Sequence, residues 1–150
     1  MDKRLLAATA MLAVLAAGWL WVASLAPHAG AAVANVSVAV VGPDGTVGPN
    51  GTVAEAASPL DAVQELGRQK GFPVVVEEQP WVGSGCTAHY VVAIAGWRET
   101  STGGWNYYTR PSPGASWTWQ AAGAACYALH AGEQVEWCWV EQDVCRHHAT

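Results

Sequence analysis

Leu5 to Ala26 is apolar at nearly every position and carries no charge, and Lys3 and Arg4 stand just ahead of it. A run that is apolar all round, terminal and led by cations predicts an export signal or an N-terminal membrane anchor rather than a core helix. Small residues follow, and both Ala29-Gly30-Ala31 and Ala32-Val33-Ala34 fit a signal-peptidase site. Cleaved or retained, the leader keeps its cations inside and sends the rest out. The expected organisation is a leader over 1–34, a domain over 35–145 and a short solvated tail over 146–150. Only residues 5–26 would meet a membrane.

The pattern then changes period. From Asn35 to Val41, Val36, Val38 and Val40 alternate with smaller residues, as a strand with one buried face requires. GPDGTV at 42–47 is repeated as GPNGTV at 48–53, and Pro followed by Asp-Gly or Asn-Gly predicts two consecutive turns. Ser58 opens a helix: it suits the cap, Pro59 the first helical position, and Asp61 a capping box. Leu60, Val63 and Leu66 form its apolar stripe, Arg68 and Lys70 its cationic last turn, and Gly71 its stop. Strands are expected at 73–78, at 90–95 (apolar enough to be central), at 105–109 and at 133–141. In the last of these, Val135, Trp137 and Trp139 share one face and Glu136 and Cys138 the other. One helix among several strands predicts an α+β fold with the helix across a mostly antiparallel sheet.

Composition narrows the function classes. The chain of 150 residues is 51% hydrophobic and 13% charged, with a formal charge of −5. So few cations leave no footprint for nucleic acid, and no phosphate-binding glycine motif occurs. Cys86, Cys126, Cys138 and Cys145 all follow the leader, so two disulfides are expected in an oxidising compartment. Three pairings are open, with Cys86–Cys126 and Cys138–Cys145 favoured. Histidines follow three of these cysteines closely, at His89, His130 and His147. The spacings differ and no Cys-x-x-Cys occurs, so no metal is assigned. Catalysis has no motif behind it. Glu77 and Glu78 alternate faces, Gly83-Ser84-Gly85 lacks the spacing of a nucleophile elbow, and Glu99, Glu133, Glu136, Glu141 and Asp143 read as solvating charges. The protein is therefore expected not to be an enzyme.

Three segments in order carry a family resemblance: SPLDAVQELGRQKGF (58–72), GWNYYTR (104–110) and YALHAGEQVEWCW (127–139). Together they resemble the transcobalamin-like C-terminal domain family, over roughly residues 36–141. That family is similar to the small β-domain that closes over cobalamin in intrinsic factor and transcobalamin. The resemblance implies a β-grasp-like fold and makes cobalamin, or another corrinoid, the first ligand to consider, with no firm cofactor. The chain departs from the family pattern in Arg110-Pro111-Ser112-Pro113-Gly114, in Gln134, in its four cysteines and in Trp117 and Trp119.

Aromatic residues are the best candidates for a binding surface, because exposed aromatic patches mark interaction sites. Nine Trp occur, seven of them after residue 34. Trp117 and Trp119 flank Thr118 among Gly, Pro, Ser and Ala, so alternation sets both on one face. There they form either an indole platform for a corrin or a sugar, or a cross-strand pair sealing a hairpin. Trp81, in the QPWVGSG loop, is added because the corresponding loop of the relatives faces the ligand. Trp105 and Tyr107 of the GWNYYTR segment complete the set, although Trp105, like Trp137 and Trp139, lies in a strand where core packing is the first expectation. The expected function is an exported, extracellular or cell-surface module that binds a small ligand. The alternative is a disulfide-stabilised structural or adhesion module of the cell envelope, binding protein or glycan.

Overall fold

The valines of the first alternating segment build strand β1 (Val33–Val41), which pairs antiparallel with β2 (Val47–Ala56). This computed structural model describes residues 30–79, 86–141, 144, 145 and 147. Most of the leader, Trp81 and Asp143 lie outside the described residues. The strand begins at Val33, so the second small-residue motif ends inside β1, where Val33 and Ala34 pair with Ala56 and Glu55.

The first repeat unit turns as expected: Gly42 N–H donates to Thr46 O, and Asp44 Oδ1 accepts from Thr46 N and Oγ1. The second does not. Residues 48–53 lie within β2, with Asn50 opposite Ala39 and Thr52 opposite Ser37. Pro49 is tolerated there because β2 is an edge strand. The glycines serve a different purpose from turning. The Trp97 ring lies against Gly42 and Gly48, where an added Cβ would come within 3.0 and 2.9 Å of it.

Helix α1 (Pro59–Lys70) forms as predicted. Ser58 Oγ accepts from Asp61 N at 3.2 Å, and Gly71 closes the helix at φ 77° with its N–H on Gly67 O. Leu60, Val63 and Leu66 are buried. After it come β3 (Val74–Gln79), β4 (Ala88–Ile94) and β5 (Trp97–Arg98), an antiparallel sheet with β4 in the middle. The remaining strands are β6 (Gly103–Arg110), β7 (Thr118–Trp119), β8 (Gln134–Glu141) and β9 (Val144–Cys145).

The larger sheet has the order β2-β1-β8-β6-β7, with β9 on β8. Its pairings are antiparallel except between β1 and β8, which run parallel. The fold of the described residues is thus α+β, two sheets and one helix. A single core joins Val36, Val38 and Val40 of β1, the helix stripe, Val91 and Ile94 of β4, and Trp105 and Trp137. Trp105 meets Trp139 edge to face at 5.5 Å. Helix and small sheet therefore cover the same face of the larger sheet.

Two disulfides, Cys86–Cys126 and Cys138–Cys145, use all four cysteines. Such bonds form and persist in oxidising compartments, which fits an extracellular location. No helix among the described residues is long and apolar enough to cross a membrane.

Replacing Gly48 by Ala is expected to destabilise the fold by about 1–3 kcal/mol, because the new methyl group overpacks the Trp97 ring. Urea denaturation followed by Trp fluorescence measures this.

Candidate functional site

Strand pleating divides the central strands between two environments. Val135 and Trp137 face the helix, whereas Glu136, Cys138 and Val140 point to the opposite side. Cross-strand register carries Tyr108 and Arg110 of β6 and Ser37, Ala39 and Val41 of β1 to that same side. A second, smaller apolar cluster forms there from Val41, Tyr108, Cys138, Val140 and Cys145, with Trp117 against it. No helix among the described residues covers this outer face.

Trp117 and Trp119 both reach it. Trp119 stands opposite Tyr108 and is 56% exposed. Trp117 is half-buried, and the Arg110 guanidinium lies 4.3 Å from its ring centre. Arg110 Nε also donates to Gln134 Oε1 at 2.6 Å, so the cation is held in place from two sides. Beside this stack is an open concavity of about 440 Å³, with Ser37, Asn50, Thr52, Arg110, Trp117 and Gln134 among its lining. The side chains offered are an indole, a guanidinium, two amides and two hydroxyls, with no carboxylate. Such a surface suits a flat or ring-shaped ligand with a polar rim.

Trp105 and Tyr107 lie elsewhere. Both are buried in the core on the inner face, with the indole N–H on Trp97 O and the phenol on Ala122 O. Burial, above all, pushes the Tyr107 hydroxyl far above the usual tyrosine range. Of the aromatic candidates in the described residues, the structure thus brings only Trp117 and Trp119 to one surface.

Two of the expected solvating carboxylates are buried. Glu136 is 1% exposed, because β8 is an interior strand and the chain returns over it. His147, expected in a solvated tail, instead places Nδ1 2.9 Å from Glu136 Oε2. The sequence does hold a signal for part of this cluster: Glu136-x-Cys138 puts two side chains on one face of a strand, whereas His147 lies past the end of β9. Glu133 is also buried. It accepts from Tyr127 Oη at 2.6 Å and from His130 N at 2.9 Å, with His130 Nδ1 at 3.2 Å. Burial pushes its carboxyl upward, but these donors outweigh it and leave the group below the ordinary carboxylate range. This network anchors the 120–133 loop, whose Ala124 O also accepts from Leu60 N at the helix start.

The sequence matches no protein-family model and no curated protein. The arrangement of side chains is therefore the ground for any reading of function.

Glu133 makes stability depend on acid. Because its folded pKa is lowered, its contribution is complete above the ordinary value of 4.5 and is lost as pH falls through the lower folded value. Glu133→Gln is expected to flatten the fall in melting temperature below pH 4.5. At neutral pH it should cost about 1–3 kcal/mol, because Gln cannot accept all these hydrogen bonds. Thermal melts of both proteins across acid and neutral pH check the two effects.

Proposed function

We propose that the protein is an exported, non-catalytic binding module whose ligand sits on the outer face of the larger sheet. The observation that carries this reading is Trp117, an indole stacked on Arg110 in the wall of a polar-lined concavity, with Trp119 left 56% exposed on the same face of the sheet. Solvent-exposed indole is unfavourable in itself, and next to convergent polar groups it marks a surface that is covered in use. The Arg110–Trp117 stack forms the wall of the site, and Asn50, Thr52 and Gln134 supply hydrogen bonds to the ligand rim.

The ligand class follows from the same groups. A corrin is a flat macrocycle rimmed by amides, and the amides of Asn50 and Gln134 both donate and accept. The resemblance of residues 58–72, 104–110 and 127–139 to transcobalamin-like domains makes cobalamin the first ligand to test. The strand order, with β1 parallel to β8 at the centre and one helix across, agrees with the β-grasp that the resemblance implies. A concavity of about 440 Å³ covers only part of such a ligand, so affinity is modest unless a second domain closes over it. The charged-then-apolar start of the chain supplies the route out of the cytoplasm.

The full chain, titrated with cyanocobalamin, should show a saturable quench of Trp fluorescence and a shift in the corrin spectrum. Trp117→Ala, which removes the indole from the lining, is expected to abolish both with the far-UV circular dichroism unchanged, and Trp119→Ala, on the same face but outside the lining, to weaken binding while changing stability by less than about 1 kcal/mol. If wild type shows no change at high micromolar ligand, the corrinoid is excluded. Binding to glycan arrays that disappears in Trp117→Ala would then make the ligand a sugar, and silence in both assays would leave a structural envelope module.

A further inference from the structure

The cluster on the outer face around Glu136 is not used by the proposed ligand site. We propose that the β8–β9 hairpin is a zinc site in its reduced state, with Glu136, Cys138, Cys145 and His147 as ligands and the Cys138–Cys145 disulfide as its oxidised alternative.

Strand geometry brings the ligands together. Glu136 and Cys138 are two residues apart on β8 and share a face. Cys145 ends β9, which pairs antiparallel with β8 through Val140–Cys145 and Glu141–Val144. Cys145 therefore projects to the same side, and His147, two residues on, reaches the Glu136 carboxylate at 2.9 Å. One ligand atom from each of Glu136, Cys138 and Cys145 lies within 4.8 Å of the others. Zinc bonds of about 2.3 Å to sulfur and about 2.0–2.2 Å to nitrogen or oxygen set tetrahedral edges of roughly 3.3–3.8 Å. With the sulfurs parted, Glu136, Cys138 and Cys145 stand close to that shape, and His147, now in contact with the Glu136 carboxylate, must swing toward the sulfurs to complete it. Two thiolates, one imidazole and one carboxylate make a donor set that suits zinc better than calcium or magnesium.

Burial supplies the independent argument. Glu136, Cys138 and Cys145 are 1%, 0% and 4% exposed. A metal held there would be shielded from water, and the disulfide itself requires neither the carboxylate nor the histidine that is paired with it. A reduced site would account for Glu136 facing two sulfurs.

The exchange balances. A dithiol reductant gives two electrons and two protons to the Cys138–Cys145 bond and becomes a disulfide itself. Zn²⁺ then displaces both thiol protons, and Glu136 and neutral His147 complete the coordination. Oxidation by a disulfide reverses the sequence and expels the ion. The cytoplasm, where every chain is made and thiols stay reduced, is where the metal form would exist.

The test uses the full chain in mild detergent, reduced with a phosphine and titrated with Zn²⁺, or with Co²⁺ as a coloured probe. The expected result is one metal per chain, with a thiolate charge-transfer band and the strong visible bands of tetrahedral Co²⁺. His147→Ala and Glu136→Gln should each weaken binding roughly tenfold or more. Cys138→Ser with Cys145→Ser should abolish it, and Cys86→Ser with Cys126→Ser should leave it unchanged. Adding oxidised glutathione should release the zinc. Absence of the bands, bands indifferent to His147→Ala and Glu136→Gln, or bands that survive loss of Cys138 and Cys145 would each overturn the site. Should the reduced chain lose its far-UV circular dichroism, zinc must restore it, and failure to do so also overturns the proposal.

Discussion

The indole N–H of Trp137 donates to the main-chain carbonyl of Pro59 at 3.1 Å, tying the first turn of α1 to the middle strand of the larger sheet. Trp137 is 2% exposed, so this bond is made away from water, where an unmade one would cost the full desolvation of the donor. The ring itself fills the core between the helix stripe and Tyr107, whose ring lies 5.6 Å away. The bond spans 78 residues of chain and joins the helix to a strand paired on its two sides with β1 and β6. It therefore fixes which face of β8 is inner.

Once Trp137 points inward, its neighbours have no choice. Glu136 and Cys138 must face the other side, and the register carries Tyr108 and Arg110 there as well. The helix and small sheet have filled the inner face, so among the described residues the outer face is left to short pieces such as the Trp117 segment and His147. The apolar cluster on that face is small, and much of the surface is polar or aromatic. The same pleat that buries a tryptophan thus creates the surface on which ligand or metal chemistry can occur.

The parts of the fold legible in the sequence are those whose signals are local. Ser58, Pro59, the Leu60-Val63-Leu66 stripe and Gly71 define a helix within fourteen residues, and the structure has it. The valines of β1 show their buried face by alternation alone. The second repeat unit misleads because Gly48 answers to Trp97, some fifty residues away, Gly51 to Leu66 of the helix, and its proline to an edge position. β5, β7 and β9 are two residues long and carry no period. Trp117 and Trp119 could be placed together from their spacing, and the strand setting of Trp105 already points to the core where it lies, but Tyr107 could not be separated from the candidates, since that depends on which face the helix covers. Glu136 shows the same limit most clearly. Alternation sets it opposite Trp137, but only the return of the chain through Cys145 and His147 makes that opposite side dry.

The two disulfides differ in what they can contribute to stability. Cys86–Cys126 joins residues 40 apart, and in a chain-entropy view such a closure stabilises by about 4 kcal/mol. Cys138–Cys145 joins residues seven apart and on the same view contributes about 2.5 kcal/mol. Against that smaller gain stands the buried carboxylate of Glu136, whose desolvation opposes folding by several kcal/mol until its partners offset it. An apolar residue at 136 would pack beside Cys138 and Tyr108 without that penalty. Stability alone thus explains the long-range disulfide and leaves the short one, with its acid and its histidine, to be explained by chemistry.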